Sequence, residues 1–449
     1  MKERVGSGLI LLPGNNESPM NYSGNTFPFR QDSTFLYYFG IDAPGLVAVI
    51  DCDSGDEILY GDDFTVDDIV WMGPQETIAI RAERVGIEKT APLADIGNRI
   101  EDAFKNKAKV HFLPQYRDDN KLYLSHLLGI NGQIINKYSS RDFIMAVASQ
   151  RSYKTGEEID QIEEALDISY EMNILAMEMS KPGMYERDVC GAIEGLVLSK
   201  GSYPSFPIIF SIHGETLHNH SHDNLMKDGD ILVLDSGAES KLHYASDITR
   251  TFPVNGKFTH IQRDIYQIVL DAQLAAIEKM KPGLTYKEIH LHSATVIATG
   301  LKDLGFMKGN VSDIVEKGAH AMFYPHGLGH MLGLDVHDME NLGEDYIGYS
   351  KDIRRSEQFG LAYLRYAKKL APGLVLTVEP GIYFIPELIR QWKEANKHTE
   401  YLDYDKIMKH IDFGGIRIED NVLITESGHQ VLGKPIPKTV EDVEKFCAL

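Results

Sequence analysis

DGDILVLDSG, residues 228–237, is a turn followed by an apolar run that ends on an acid, and APGLVLTVEPG, residues 371–381, is built the same way. In each, a glycine opens a short run of aliphatic and β-branched residues, the composition of a buried strand. Asp235 follows Gly229 at the distance at which Glu379 follows Gly373. The correspondence continues outward. Upstream, MSKPGMYERDV (179–189) and KMKPGLTYKEI (279–289) each end one helix-like segment and begin another, and each half then carries an HG segment, HGETLHN at 213 and HGLGHML at 326. Downstream, SDITRTFPV (246–254) and IRIEDNVLI (416–424) read as closing strands with Asp247 and Glu419 at comparable places. A duplication of this kind predicts two similar α/β halves packed about a pseudo-twofold axis, with a site between them. The axis would gather Asp235, Asp247, Glu379 and Glu419.

Four carboxylates at the ends of apolar strands cannot all ionise at close range, because like charges raise one another's pKa. Any one of them is ordinarily a strand-end acid in water. Four in duplicated register point instead to two divalent cations, which set a charge of +4 against -4. YPHGLGHMLGLDVHD (324–338) adds His326, His330 and His337, and His330 follows the second HG turn, where glycine allows close backbone approach. An oxygen-rich set with one imidazole favours a harder ion, Mn²⁺ first with Co²⁺ or Zn²⁺ as alternatives, over a thiolate zinc site. No Glu lies between His326 and His330, so the H-E-x-x-H pattern does not apply. HNHSH (218–222) would put His218, His220 and His222 on one face if extended, and reads either as a solvated loop or as a separate histidine site. The chain has no G-x-S-x-G elbow, no phosphate-binding G-x-x-x-x-G-K-[ST] loop and no G-x-G-x-x-G.

The remaining bounds are broad. A chain of 449 residues predicts about two domains. With 45 basic and 66 acidic residues, the net charge of -21 argues against nucleic acid or an anionic membrane as partner. No window approaches the roughly 20 apolar residues of a membrane span, and the N-terminal run LILL is too short for a signal-peptide core. Cys52, Cys190 and Cys447 are scattered, which suits a reducing compartment and gives a cytoplasmic expectation. Residues 1–150 mix short apolar runs such as LVAVI (46–50) with helix-like segments, the pattern of a small α/β domain. RSYKTGEEID (151–160) marks a boundary: Thr155 and Glu158 fit a capping box, and Ile159, Ile162 and Leu166 continue at helical spacing. The second domain is then 151–449.

DSGAE, ASDITRTFP, PHGLGHMLGLDVHD, LTVEPGIY and GIRIEDNVLIT together resemble the pita-bread metallopeptidases, and within them the proline-specific branch of aminopeptidase P and prolidase. The resemblance covers roughly 150 to 440, and FPFRQDSTFLYYFGI (27–41) resembles that branch's accessory domain. It implies an α/β (α+β) fold class with a small N-terminal α/β domain and a C-terminal pita-bread domain, as in creatinase and aminopeptidase. It further implies that Asp235 holds one ion with both oxygens, that Asp247 and Glu419 bridge the pair, and that His330 and Glu379 complete the other. His326 and His337 match family histidines that meet the substrate and the developing oxyanion, His218 matches a third substrate-side histidine, and Arg417 matches a family arginine. Strand alternation independently puts Arg417 on the face of Glu419. The chain departs from the family pattern at FSIHGETLHNH (210–220).

The implied reaction is hydrolysis of the Xaa-Pro bond at a peptide N-terminus by water activated between two ions, with Glu379 as proton shuttle. The accessory domain points to aminopeptidase P and longer peptides. Arg365 matches a prolidase arginine that grips a dipeptide carboxylate, and the long segment between Tyr383 and Gly414 is also prolidase-like. By its own pattern, Arg365 sits in the basic, helix-like run LRYAKKL and reads equally as a surface residue. The implied partners are peptides with proline in second position and a second copy in a homodimer. A binding module of the same fold would have lost ligands, and a creatinase-like amidinohydrolase would not show this complete set, whereas all five positions here carry competent side chains.

Overall fold

The computed structural model describes residues 1–448, which form two compact units: Met1–Arg151 with Glu340–Tyr346, and Ser152–Met339 with Ile347 onward. The first unit is built on a five-stranded sheet of β1 (Leu9–Pro13), β2 (Val47–Asp51), β3 (Glu57–Tyr60), β4 (Lys89–Ala91) and β5 (Val110–His111), in the order β4-β3-β2-β1-β5. The short N-terminal run LILL is part of β1, every residue of which is buried. β1 runs antiparallel to β2, with Leu9 opposite Asp51, and parallel to β5. Leu9, Leu11 and Val49 pack with Ile100 and Leu124 from helices Ile96–Lys105 and Asp118–Leu128, so helices cover this face of the sheet.

The second unit shows the duplication in its elements. α1 (Gly156–Met179) and α2 (Glu186–Ser199) precede a sheet of β6 (Ile209–Ser211), β7 (Ile231–Ser236) and β8 (Ile248–Pro253). α3 (His260–Lys279) and α4 (Tyr286–Asp303) precede β9 (Val375–Val378), β10 (Gly381–Tyr383), β11 (Gly415–Arg417), β12 (Asp420–Ile424) and β13 (His429–Val431). The boundary signal at Thr155 is a full capping box with Glu158, and Thr259 with Gln262 and Thr285 with Glu288 start α3 and α4 in the same way. Gly229 and Gly373 open their strands with φ of 88° and 89°, a left-handed turn that a side chain would strain.

β7, β8 and β9 are buried at every position, which explains why their sequences are runs rather than alternations. Strands β6, β7 and β8 are antiparallel, as are β9, β12 and β13, and β10 pairs antiparallel with β11. Between Tyr383 and Gly414, the long segment folds into α5 (Pro386–Glu394) and α6 (Tyr404–Met408). Among the described residues, no helix is long and apolar enough to cross a membrane.

Candidate metal and catalytic site

The four carboxylates stand at equivalent strand ends. Asp235 is the penultimate residue of β7, and Asp247 immediately precedes β8. Glu379 immediately follows β9, and Glu419 immediately precedes β12. Bonds between the two halves draw the ends together. The Glu419 N–H donates to the Thr249 carbonyl at 3.0 Å, and the Thr249 hydroxyl donates to Glu419 Oε2 at 2.7 Å. Asn421 spans the same seam: its Oδ1 accepts from the Asp247 N–H at 3.1 Å, and its Nδ2 donates to the Asp247 carbonyl at 2.6 Å. As a result, one ligand atom each from Asp247, His330 and Glu419 lie within 4.8 Å of one another.

His330 is held by its own turn. Its backbone N–H donates to Thr377 Oγ1 at 3.1 Å, and its carbonyl accepts from the Thr377 N–H at 3.0 Å. This closeness requires Gly329, since a Cβ there would lie 2.2 Å from the Thr377 carbonyl oxygen. The ring Nδ1 bonds the Met331 carbonyl at 3.0 Å, and a carbonyl can only accept, so Nδ1 carries the proton. Nε2 therefore turns a lone pair toward Asp247 Oδ2 at 3.4 Å and Glu379 Oε1 at 3.6 Å.

These groups fit a divalent cation. Asp235 Oδ1, Asp247 Oδ1 and Glu419 Oε1 are buried and have no hydrogen-bond partner. Burial, and then the charges of Asp235 and Glu379, push Asp247 well above the usual carboxylate range. Glu419 is also raised well above that range, by burial and then by Asp247 and Glu379. Glu379 is raised by burial, with Asp235 adding to the effect. Burial holds His330 below its ordinary value, so its imidazole is neutral. A buried set rich in lone pairs and poor in protons is what a cation needs and what no internal donor supplies. One internal cation, Arg417, contacts the set: its Nη2 donates to Asp235 Oδ2 at 2.6 Å.

A cavity of about 1040 Å³ opens over the set, and His218, His326, His337, Arg365 and Arg417 all line it. His326 donates from Nδ1 to the Gly327 carbonyl at 2.7 Å, which leaves Nε2 to accept from the Tyr383 hydroxyl at 2.9 Å. Arg417 Nη1 donates to the same hydroxyl at 2.9 Å. Burial, then the Arg417 charge, lowers the His326 pKa to about 3, so the ring does not take a second proton near neutrality. The His337 ring stacks on His330, centroids 3.9 Å apart and planes at 29°, and its pKa is lowered to about 2, chiefly by burial and then by the neighbouring His330 ring.

Three sequence expectations change. The run LRYAKKL is not helical: a 3-10 turn ends at Tyr363, and the irregular backbone after it carries Arg365 to the cavity wall. HNHSH has no regular structure, and its rings separate, with His218 and His220 lining the cavity and His222 Nδ1 bonded to the Phe210 carbonyl at 3.1 Å. Among the described residues, these rings form no metal-type cluster. His326, expected to meet an oxyanion directly, has no N–H at Nε2 and instead holds Tyr383. Tyr383 was legible as a site residue by alternation from Glu379, two steps along the chain. The face of α5 that presents Leu388 and Gln391 to the cavity carries no such signal.

Residues 160–426 match the metallopeptidase family M24, and residues 1–111 match the aminopeptidase P N-terminal domain. The chain belongs to metallopeptidase family M24. It is 31% identical over 450 residues to the Xaa-Pro dipeptidase of Homo sapiens, covering 98% of this chain and 88% of the relative. It is also 31% identical over 431 residues to the Xaa-Pro aminopeptidase of Escherichia coli, covering 93% and 89%. Among solved structures it resembles zinc-substituted E. coli aminopeptidase P in complex with product, with a TM-score of 0.80 and 29% identity over 98% of this chain and 93% of that one. The expected mixed α/β fold, an N-terminal domain of the aminopeptidase P type and a pita-bread domain, is the fold observed.

Proposed function

We propose that this chain is a dinuclear metallo-exopeptidase that removes the first residue from peptides with proline in second position, in the manner of aminopeptidase P. The observation that carries the reading is the buried cluster of Asp247, His330 and Glu419 with its unpartnered carboxylate oxygens. In this reading, Asp235, Asp247, His330, Glu379 and Glu419 would hold two divalent ions. Bound ions supply Lewis acidity, making water nucleophilic near neutral pH and polarising the scissile carbonyl. The chain's own groups do the rest. Glu379 accepts the proton of the attacking water and passes it to the leaving proline nitrogen. Arg417, fixed by the Tyr383 hydroxyl and by Asp235, holds its positive charge at the cavity wall where negative charge develops. His337 and His218 form the substrate-side wall.

The cavity, at about 1040 Å³, stands at the upper end of the roughly 300–1,000 Å³ typical of small-ligand sites and has room for more than a dipeptide. Arg365 on the cavity wall favours a second reading, dipeptide hydrolysis with the guanidinium on the free carboxylate. The oxygen-rich donors support Mn²⁺. Three free cysteines support a cytoplasmic protein. A homodimer is supported by helix Val66–Met72, which leaves Val70 and Trp71 at 72% and 84% exposure. The test is a peptide panel with added Mn²⁺, alongside metal analysis. About two ions per chain and release of the first residue from both Xaa-Pro and Xaa-Pro-Yaa-Zaa are expected. Cleavage of the dipeptide alone would select the second reading, and no cleavage of either would overturn both.

A further inference from the structure

One charged pair in the second unit is buried as deeply as any side chain of the site yet lies outside the candidate ligand set. Lys154 Nζ donates to Asp338 Oδ2 at 2.9 Å, and the two side chains are each only 1% exposed. The partners lie 184 residues apart in the chain. Lys154 is anchored by its backbone N–H to the Gly373 carbonyl at 2.8 Å, at the turn that opens β9, and is followed at once by the capped start of α1. Asp338 is the residue after His337. Its N–H donates to the Met331 carbonyl at 2.9 Å, which is the same carbonyl that fixes the His330 ring. Gly333 makes room for the pair: a Cβ there would lie 2.6 Å from Asp338 Oδ2 and 3.0 Å from Lys154 Cε.

Replacing a buried ion pair with apolar groups of similar shape is often neutral or stabilising, so stability alone gives little reason for this one. Its geometry supplies another. The segment from Met331 to Asp338 has no helix or strand, and His337 near its end must meet substrate from irregular backbone. We propose that the Lys154–Asp338 pair is a positioning device for His337, clamping the segment that carries the ring to the root of β9 so that the ring stays stacked on His330 and faces the cavity. Lys154 and Asp338 are thus positioning residues for hydrolysis and touch neither substrate nor ions. The proposal rests on the reading of His337 as a substrate-side group.

The test compares the full chain with Lys154→Met, the neutral pair Lys154→Met/Asp338→Asn, His337→Ala, and the neutral pair combined with His337→Ala. Kinetics on an Xaa-Pro peptide, bound metal per chain and Tm are measured for each. Lys154→Met should lower Tm by removing the counter-charge of buried Asp338, and the neutral pair should recover most of that loss. The neutral pair should nevertheless lose about ten- to a hundredfold in kcat, because small displacements of a reacting group cost that much, with KM within about threefold and metal content unchanged. In the His337→Ala background, it should cost less than about twofold more. Wild-type kcat in the neutral pair, a full multiplicative loss without His337, or a fall in metal that tracks kcat would each overturn the proposal. Gly333→Ala, whose methyl presses on the Asp338 carboxylate and on Lys154 Cε, keeps the test open should the neutral pair fail to fold. It should lower kcat with metal retained, and wild-type kcat there is equally fatal. If His337→Ala itself keeps wild-type kcat, the reading of His337 fails, an outcome distinct from an impaired His337→Ala beside an unimpaired neutral pair.

Discussion

Arg417→Met separates the charge balance of the site from its shape. The guanidinium is 4% exposed and makes three side-chain bonds: to Asp235 Oδ2 at 2.6 Å, to the Tyr383 hydroxyl at 2.9 Å and to Thr249 Oγ1 at 3.2 Å. Burial opposes its charge, but Tyr383, Asp235 and Glu379 outweigh that and raise its pKa well above the ordinary value. Without ions, its charge balances the buried Asp235 carboxylate, and methionine would leave that carboxylate without its ion pair. Breaking a buried pair from one side costs about 3–5 kcal/mol. With two dications bound, the carboxylates are balanced without Arg417, and the loss shrinks to that of a few hydrogen bonds, about 1–2 kcal/mol. At roughly 2 °C per kcal/mol for a unit of this size, Tm should fall by about 6–10 °C in the metal-stripped protein and about 2–4 °C in the loaded one. Differential scanning calorimetry of both forms measures this, and the transition that moves on loading identifies the second unit even where the two units melt separately. Equal losses in the two forms would refute the claim that cations take over the balancing of this site.

The other perturbations act on neighbouring links. His330→Ala removes the one imidazole of the cluster, and bound metal and turnover should each fall by at least about a hundredfold. Two ions with full turnover in that variant would refute the ligand set. His290 and His320, both buried away from the site, are lowered from 6.5 to about 3 and about 4, chiefly by desolvation. Their folded pKa lies below the unfolded one, so the stability they allow is present above pH 6.5 and is lost as pH falls. At pH 5, each costs about 2 kcal/mol. The urea midpoint should drop between pH 7 and 5, and His290→Met/His320→Met should flatten that drop; an unchanged slope would remove them as the cause. Asp247, Glu379 and Glu419 have the opposite sign. Raised above the ordinary carboxylate range, they destabilise the metal-free fold as pH rises through their folded pKa. The Tm gained on metal loading, a difference that cancels the histidines, should therefore grow from pH 5 to 8, and a constant gain would contradict the repulsion.

The acids of the candidate site were legible in the sequence because they are written in strands. Asp235 and Glu379 end uniform apolar runs, and their distances from Gly229 and Gly373 are equal, so a count along the chain predicted where they meet. The capping box at Thr155 was legible for the same reason, since its partners are close in sequence. Arg365 and the wall formed by α5 were not, because their places are set by irregular backbone, where no periodicity converts residue number into direction. The proton arrangement at His326 was beyond sequence too. It follows from the Gly327 carbonyl and the Tyr383 hydroxyl, one adjacent in the chain and one 57 residues away.

Neither half of the second unit brings more than two of the four acids, so neither can assemble the full ligand set alone. The contacts that assemble it cross the seam: Thr249 to Glu419, Asn421 to Asp247, and Arg250, whose Nη2 meets Asp420 Oδ1 at 2.7 Å while Nη1 meets the Glu419 carbonyl at 2.6 Å. Docking of the halves and creation of the ion site are consequently one event. Because any ligand that binds only the folded state stabilises it by mass action, ions held here would strengthen the docking that brings the acids together. The carboxylate repulsion that opposes the seam in their absence makes that coupling stronger.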